Sequence, residues 1–376
     1  MVTVDKIDFT ARIDEVVVPA AKPDEVLVEV VKWAFTANNV TYAIAGSTLG
    51  YWDFFPTGCE RGVIPVWGIA HVAASTVAGI SVGQSLYGYF PMSRRALLHP
   101  GRVGSRSFID VAPHRVALPA AYNEYTFCDR DPFYTYATEN RMLLLRPLFL
   151  TSWLLDDFLA EHSDFGAACV ILSSASSKTA IGLAYMLSQR PTTRRLETVG
   201  LTSEANAPFV ESLGLYSRIV TYESLTLCSD GGGSGGPLHA AAATGAVYVD
   251  MAGSVSVLDA VHRGLGAALK HSCSVGLSHR GAHDGGRPPI GLPGPRPEFF
   301  FAPKWVQQRA SKAPGGMREV IASIMPSWQG FVADSERWLR ISHVHGATSI
   351  LSAYAAAAAG RSRPSVGTIM SLSPSM

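Results

Sequence analysis

Small hydroxyl residues fill a turn between a short apolar run and an amphipathic segment near the middle of the chain. The apolar run, Cys169 to Leu172, predicts a buried strand. Residues 179–187 have helical apolar spacing and predict a helix. A strand that enters a helix through a tight turn points backbone N–H groups and the positive end of the helix dipole at one place. The stretch 168–182 therefore predicts a phosphate-binding turn, and with it a bound nucleotide.

This turn departs from the two standard phosphate-binding motifs. A Gly-x-Gly-x-x-Gly turn needs glycines for the bend and for close approach to the pyrophosphate, and only Gly182 is present. A P-loop needs glycines where Leu172 and Ser177 stand, so that motif is excluded. Hydroxyl groups can bind phosphate instead, and a serine-rich turn without a ligand is the alternative interpretation. The cofactor-binding candidates in the turn are Ser174, Ser176, Ser177, Lys178 and Thr179.

Strands and helices alternate after the turn, which predicts a doubly wound parallel sheet. The predicted strands cover 198–203, 217–222, 246–251 and 274–278, with a short helix over 207–213. Such sheets bind ligands beyond the carboxyl ends of their strands. We therefore expect further cofactor contacts from residues at or just after those ends. These residues are Thr202, Ser203, Tyr222, Ala252, Gly253 and His279.

The end of the second strand bears on the choice of cofactor. An acidic residue there binds a ribose 2′-hydroxyl and repels a 2′-phosphate, which selects NAD. Thr202 and Ser203 stand there instead and favour NADP, whereas Glu204, one position further on, keeps NAD as the alternative. Candidate cations for a 2′-phosphate are Arg194, Arg195 and Arg218.

Composition places the chain among globular enzymes and excludes several other classes. Its 376 residues have room for two domains, and 47% of them are hydrophobic while 16% are charged. A net charge of +1 gives no electrostatic reason to expect a nucleic-acid partner or an anionic membrane. The N-terminus lacks a signal-peptide layout, and the five cysteines form no C-x-x-C pair. We therefore expect a cytoplasmic protein with neither a disulfide framework nor a structural zinc.

The parts that flank the nucleotide unit have a different character. Residues 1–148 are rich in predicted strands, including 25–31, and 35–46 predicts a turn that leads into a short helix. An aromatic and proline-rich segment follows, which either lines an apolar pocket or fills a core. Its members are Trp52, Phe54, Phe55, Pro56, Pro65 and Trp67. Beyond residue 300 the pattern predicts helices over 316–333 and 347–360 and strands over 338–341 and 367–372.

The order of these parts resembles the medium-chain dehydrogenase/reductase superfamily, and within it a zinc-free branch similar to quinone oxidoreductases and enoyl reductases. The stretches that carry the resemblance are 23–30, 37–46, 82–89, 168–182 and 361–372. It implies an α/β fold with two domains. A β-rich GroES-like catalytic domain would comprise 1–148 and 313–376, and a Rossmann domain with a doubly wound parallel sheet would comprise 149–312.

The resemblance also implies an activity and a site. It implies an NADP-dependent oxidoreductase that acts on a small-molecule substrate and forms a homodimer. It also implies that Tyr42, with Asn38 or Asn39 nearby, lies beside the nicotinamide and the substrate. The reaction would transfer hydride to an activated double bond or carbonyl in an enone, an enoyl thioester or a quinone. Without a metal, the developing enolate needs hydrogen-bond donors, and the Tyr42 hydroxyl is the candidate donor or proton source.

Zinc-dependent members of the superfamily carry Cys, His and Glu ligands near the start of the catalytic domain. Cys59, Glu60 and His71 occur in the corresponding stretch, but not at the family's ligand spacing, so we expect no catalytic zinc. Two alternatives to an enzyme stay open. One is a nucleotide-binding protein that lost hydride chemistry, and the other is a scaffold subunit that keeps the fold.

Overall fold

The computed structural model describes residues 1–44, 46–48, 50–58, 60–227, 236–275 and 291–373. Cys59 and His279, both named above as candidates, lie outside the described residues. The chain divides into two compact units, one formed by Met1–Arg146 with Leu339–Met376 and the other by Pro147–Trp338. No helix in the described ranges is long and apolar enough to cross a bilayer.

Strands and helices are numbered in chain order. The strands of the described residues are β1 (Val2–Asp5), β2 (Ala11–Ile13), β3 (Val26–Phe35), β4 (Arg61–Gly62), β5 (Pro65–Ser75), β6 (Ser85–Pro91), β7 (Arg95–Leu98), β8 (Pro100–Val103), β9 (Ser107–Asp110), β10 (Glu124–Phe127), β11 (Cys169–Leu172), β12 (Glu197–Thr202), β13 (Arg218–Thr221), β14 (Ala246–Asp250), β15 (Leu269–Ser274), β16 (Glu298–Phe299), β17 (Arg340–His345) and β18 (Val366–Ser371). The α-helices are α1 (Ala37–Ile44), α2 (Glu139–Glu161), α3 (Lys178–Ser188), α4 (Ala207–Ser212), α5 (Tyr222–Leu227), α6 (His239–Thr244), α7 (Val255–Leu265), α8 (Ala302–Lys312), α9 (Met317–Asp334) and α10 (Ala347–Ala358).

The first unit is built on a mostly antiparallel sheet with the order β17-β18-β3-β5-β6-β10-β9-β8, in which β7 also pairs with β3. A second, smaller sheet has the order β2-β1-β4. Alternating residues of β3, among them Val26, Val28 and Val30, point into the core, as expected of a strand with one buried face. The two C-terminal strands β17 and β18 pair in parallel, and β18 joins the sheet beside β3. The chain therefore returns to this unit at its C-terminal end.

The second unit is a six-stranded parallel sheet with the order β13-β12-β11-β14-β15-β16. Counted along the chain, this is the order 3-2-1-4-5-6 of the Rossmann fold. Every residue of β11 is buried, because helices cover both faces of such a sheet. The strand order reverses between β11 and β14, and ligands of these folds bind beside that switch point. The predicted α/β class, with a β-rich part and a doubly wound parallel sheet, is confirmed.

Residues 313–338 group with the second unit, whereas the sequence assigned them to the catalytic domain. They include the whole of α9, whose Phe331 stacks on Phe149 of α2 with ring centroids 4.7 Å apart. Gly330 of the same helix lies against Tyr185 of α3. Burial of this aromatic surface on α2 and α3 holds α9 to the parallel-sheet unit.

Two strand predictions need correction. The third strand ends at Thr221, and Tyr222 begins α5 instead of ending the strand. The fifth strand is β15 and not 274–278, of which residues 276–278 lie outside the described ranges. Hydropathy misses β15 because several of its buried residues are polar. One of these, Ser272, is satisfied by His262, whose Nε2 lies 2.9 Å from the Ser272 hydroxyl oxygen.

Candidate functional site

Helix α3 begins at the carboxyl edge of β11. Ser177 is its N-cap, and its hydroxyl oxygen accepts a hydrogen bond from the Ala180 N–H at 3.3 Å. Lys178 and Thr179 follow in the first turn, where backbone N–H groups have no partner within the helix. The positive end of the helix dipole is at the same place. The structure thus puts a helix N-terminus, the end of a helix that favours anions, beside the switch point.

A serine takes the bend where a glycine would be expected. Ser174 has a left-handed backbone with φ of 51°. Its N–H donates to the Tyr222 hydroxyl at 2.7 Å, and its carbonyl accepts from the Ser177 N–H at 2.7 Å. Burial raises the pKa of Tyr222 to about 12, so this hydroxyl stays neutral near pH 7. Two predicted cofactor residues, Ser174 and Tyr222, are therefore in direct contact, and Tyr222 holds the strained turn in place.

Close packing of the turn depends on a glycine outside it. The Ala175 N–H donates to the Leu201 carbonyl of β12 at 2.9 Å, and the Ala175 carbonyl accepts from the Tyr216 hydroxyl at 2.7 Å. A Cβ at Gly200 of β12 would lie 2.9 Å from the Ala175 Cβ. Glycine at position 200 thus lets the turn lie directly on the neighbouring strand. Ser176, the next residue of the turn, is half-buried.

Gly182 packs differently from the expectation. The motif places this glycine against a strand, but a Cβ at Gly182 would lie 2.6 Å from the Ser152 hydroxyl oxygen of helix α2. The same hydroxyl donates to the Thr179 carbonyl at 2.7 Å. Gly182 therefore serves the close approach of α3 to α2, and Ser152 ties α2 to the first turn of α3.

The turn after β14 is tied to the turn after β11 by a buried carboxylate. Asp250, only 1% exposed, accepts on Oδ1 from the Ser173 hydroxyl at 2.8 Å, the Gly253 N–H at 3.0 Å and the Tyr248 hydroxyl at 3.2 Å. The Ala252 N–H donates to both Ser173 Oγ and Asp250 Oδ1. Gly253 has φ of 66°, which suits glycine. The predicted residues Ala252 and Gly253 thus line a turn that Asp250 holds beside the switch point.

Sequence reasoning assigned Asp250 no role at the site. It offered the Ser173 hydroxyl for phosphate binding, whereas this hydroxyl donates to Asp250 at 2.8 Å. The available signal was an acidic residue at the end of an otherwise apolar strand. A carboxylate is rarely buried unless hydrogen bonds satisfy it. A buried carboxylate at the carboxyl end of a parallel strand therefore indicates that its hydrogen bonds hold the following turn in place.

Lys178 is half-buried at the first position of α3. Burial lowers the pKa of its ammonium group to about 8. The positive end of the helix dipole is an unfavourable place for a cation. A phosphate bound at this terminus would offset both effects, so the local electrostatics suit an anionic ligand.

The carboxyl end of β12 lies next to an acidic side chain, whereas the sequence predicted arginines near this place. Thr202 is buried and Ser203 is half-buried, as a lining of the crevice requires. The Glu204 N–H donates to the Glu223 carboxylate at 3.2 Å, so an acidic side chain lies next to the predicted 2′-phosphate position.

The arginines expected there are elsewhere. Arg218 begins β13 and contacts Glu197, the first residue of β12, at 3.2 Å. Arg194 and Arg195 also precede β12. These side chains belong to the amino edge of the sheet, and the expectation that they approach a 2′-phosphate is wrong.

The predicted catalytic residues lie on α1 in the first unit. The Asn38 amide donates to the Tyr42 hydroxyl oxygen at 2.7 Å, an i,i+4 contact along the helix. Burial raises the pKa of Tyr42 above its ordinary value. Asn39 instead accepts from the Thr36 N–H at 2.9 Å and donates to the Pro65 carbonyl at 3.2 Å. Asn38 and Tyr42 therefore form a polar pair, while the bonds of Asn39 fix the start of α1 on β5.

A metal site needs several His, Cys, Asp or Glu side chains close together among the described residues. No three or more His, Cys, Asp or Glu side chains are grouped there as a metal ion would require. Glu60 and His71 are among those residues, and Cys59 is not.

Solved structures share this fold over nearly the whole chain. CurA from Vibrio vulnificus is 12% identical, with 99% of this chain and 98% of that chain covered and a TM-score of 0.59. A mutant form of the enoyl thioester reductase from Candida tropicalis is 11% identical, with 98% of each chain covered and a TM-score of 0.56. The yhdH oxidoreductase from Salmonella enterica, in complex with NADP, is 12% identical, with 99% of each chain covered and a TM-score of 0.54. CurA was also solved in complex with NADPH.

At these identities the likeness shows the fold, which is that of the medium-chain dehydrogenase/reductase superfamily. The predicted resemblance is thereby confirmed at the level of the fold. No curated protein matches the chain in sequence. The model of a family described as a protein of unknown function, DUF2855, matches residues 33–363, and the chain belongs to that family.

Proposed function

We propose that this protein is an NADP(H)-dependent oxidoreductase that transfers hydride to an activated double bond or carbonyl. The observation that carries the proposal is the start of α3, where a helix terminus and Lys178 lie beside the switch point of a 3-2-1-4-5-6 sheet. The NADP and NADPH complexes of yhdH and CurA support the same choice of cofactor.

The residues of the second unit divide into two groups in this proposal. Ser176, Ser177, Lys178 and Thr179 would hold the diphosphate through hydroxyl groups, first-turn amides and one ammonium group. A second group shapes the crevice through hydrogen bonds that its backbone N–H groups or hydroxyls make to other parts of the protein. Its members are Ser174, Tyr222, Ala252 and Gly253. Thr202 and Ser203 would face the 2′-phosphate.

The cofactor supplies the hydride, and the chain's own groups stabilise the acceptor. When hydride adds to the β-carbon of an enone or enoyl thioester, the π electrons move to the carbonyl oxygen and form an enolate. The Tyr42 oxygen already accepts a hydrogen bond from Asn38, so the Tyr42 proton remains for donation to that enolate oxygen. Solvent then protonates the α-carbon. This route needs no metal, and zinc independence is part of the proposal.

The test is NADPH binding and oxidation by the full-length protein. We expect NADPH fluorescence to titrate to a single site, and NADPH to be oxidised in the presence of an enone, an enoyl thioester or a quinone. Tyr42→Phe should keep the NADPH dissociation constant and lower kcat by about 10- to 100-fold, a typical range for one donor or proton source. Tyr136→Phe is the matched control, because Tyr136 is 86% exposed. Absence of NADPH binding would contradict the proposal and favour a scaffold role.

A further inference from the structure

Four consecutive residues have a left-handed backbone just before β11. Ser163, Asp164 and Phe165 have φ of 50°, 51° and 54°, and Gly166 follows with 69°. Residues other than glycine rarely visit this region even singly, so a run of three needs support from its surroundings. We name these four residues the left-handed turn. It joins the end of α2 to the amino edge of the parallel sheet, whereas the turn before α3 lies at the carboxyl edge.

An arginine holds one residue of the left-handed turn. The Arg190 guanidinium donates from Nη1 to Asp164 Oδ1 at 2.8 Å and from Nε to Asp156 Oδ1 of α2 at 2.8 Å. The Arg190 side chain is only 9% exposed. This clamp ties Asp164 to α2, but the ring of the next residue, Phe165, is held by packing alone.

Three parallel rings form that packing. The Phe165 ring stacks on two imidazoles, with its centroid 4.0 Å from that of His271 on β15 and 5.2 Å from that of His162 after α2. The ring planes differ by only 2° in both pairs. Phe158 of α2 contacts all three rings, with centroids 4.5 to 5.8 Å away. We name His162, Phe165 and His271 the ring stack.

His271 has a buried nitrogen with no polar partner in the ring stack. The residue is 6% exposed, and its Nε2 has no hydrogen-bond partner among the described residues. A neutral imidazole tolerates this place, because it can carry its single proton on Nδ1. A second proton would put a charged N–H without an acceptor among aromatic rings. Burial accordingly lowers the pKa of His271.

The charges around His271 do not offset this burial. Glu298 of β16 favours a proton on His271 but is exposed to water, and His162 opposes that proton when it is itself charged. Val247, which lies opposite His271 on β14, carries no charge, and Lys270 beside it on β15 is exposed. The remaining charged groups of the elements packed on the ring stack are paired among themselves. These pairs are Asp156 and Asp164 with Arg190, Asp157 and Glu161 with Arg309, and Glu161 with Lys312.

We propose that the ring stack is an acid-sensitive latch, in which protonation of His271 separates it from Phe165 and releases the left-handed turn from β15. The charged imidazole gains water only when the Phe165 ring moves off it. The turn then loses the packing that opposes its backbone strain. The latch lies at the amino edge of the sheet, so the inference goes beyond the proposed nucleotide chemistry and does not depend on it.

The direction of the pH dependence follows from the pKa of His271. This pKa is lower in the closed latch than in an open or unfolded chain, where it is about 6.5. Above about pH 6.5 the imidazole is neutral in both states, and the latch has its full stability. As the pH falls further, the open state binds the proton first. The open population should therefore rise by up to about tenfold for each pH unit until the closed form also titrates.

Hydrogen exchange of the full-length protein measures this opening. The reporters are the Phe165 and Ala167 amides, which donate to the His162 and Asp164 carbonyls at 3.0 Å. After correction for the intrinsic exchange rate, we expect their protection to fall by about 3- to 10-fold between pH 6.5 and 5.5. Constant protection over this range would overturn the inference.

Three variants identify the group that titrates. His271→Phe keeps a flat ring that cannot be charged, so protection should stay constant between pH 6.5 and 5.5. His162→Gln should retain the loss of protection, because the buried ring is still present. His343→Phe, at an exposed histidine of β17, is the matched control and should behave like the unaltered protein.

Two results with these variants would contradict the latch. An unchanged loss of protection in His271→Phe would assign the acid sensitivity to the carboxyl groups of Asp156 and Asp157, whose pKa values burial raises. Constant protection in His162→Gln would assign it to the exposed histidine. If His271→Phe does not fold, nuclear magnetic resonance of the unaltered protein decides. The midpoint of the His271 imidazole titration must then coincide with that of the loss of protection, and separate midpoints would overturn the inference.

Discussion

Replacing Lys178 by Met should stabilise the protein in the absence of nucleotide. Burial holds the pKa of Lys178 near 8, against an ordinary value of 10.5. At about 1.4 kcal/mol for each pH unit, the charged form costs the folded protein about 3 kcal/mol at neutral pH. Methionine keeps the apolar stem and removes the charge. The free energy of unfolding at pH 7 should therefore rise by up to about 3 kcal/mol.

The pH dependence gives this prediction a sign that can be checked. Below about pH 8 the ammonium is charged in both the folded and the unfolded chain, so the full cost is present. Between pH 8 and 10.5 only the folded chain loses the proton, and the cost is relieved as the pH rises. The advantage of Lys178→Met should thus be large at pH 7 and much smaller at pH 10. Urea unfolding at both pH values measures it, with Lys304→Met, an exposed lysine in the first turn of α8, as control.

The affinity for nucleotide should fall in Lys178→Met, although the stability of the free protein rises. If Lys178 bonds to the cofactor diphosphate, Lys178→Met should weaken NADPH binding by about 1–3 kcal/mol, which is the cost of losing a bond to a charged group. Fluorescence titration at pH 7 measures this change. Equal stability of both proteins at pH 7 would refute the burial argument. Unchanged NADPH affinity would remove Lys178 from the site.

Three further predictions follow from the second unit and from the proposed chemistry. Ser173→Ala removes the hydroxyl that joins Asp250 to the Ala252 N–H. Urea unfolding should then show a free energy of unfolding lower by about 1–3 kcal/mol, and titration should show a weaker NADPH affinity. An unchanged NADPH affinity would contradict the role of this link. The protein should bind NADPH more tightly than NADH, and a tenfold preference for NADH would contradict this prediction. Glu223→Gln should increase the preference for NADPH, because it removes a negative charge near the 2′-phosphate. Dialysis against a chelator should leave NADPH oxidation unchanged, whereas activity that is lost and then restored by zinc would overturn the metal-free route.

The sequence was sufficient for the fold and for the position of the crevice. Strands buried on both faces give short, continuous apolar runs, so Cys169–Leu172 and Ala246–Asp250 stand out without any alignment. Their alternation with helical segments determines a parallel sheet. Strand β15 was misplaced because its buried polar residues resemble a surface segment. One of them, Ser272, is paired with His262 of α7, ten residues earlier in the chain.

The details of the candidate site were less accessible, because they depend on the direction in which each side chain points. Adjacent Asn38 and Asn39 look equivalent in the sequence, yet one faces Tyr42 and the other bonds to backbone groups of Thr36 and Pro65. A side chain's direction on a short helix depends on what packs against it. The amino-acid composition gives no information about that packing.

The glycine-poor turn shows how the same geometry can arise from other residues. Three neighbours do what fingerprint glycines do elsewhere: Tyr222 holds Ser174 in its left-handed conformation, Gly200 admits Ala175 onto β12, and Asp250 fixes the facing turn. All three lie outside the turn, on elements that the fold brings to it. The bend therefore depends on β12, β14 and α5 as much as on the turn itself. A search for the glycine motif alone misses such a site, while the order of strands and the polar residues at their carboxyl ends still reveal it.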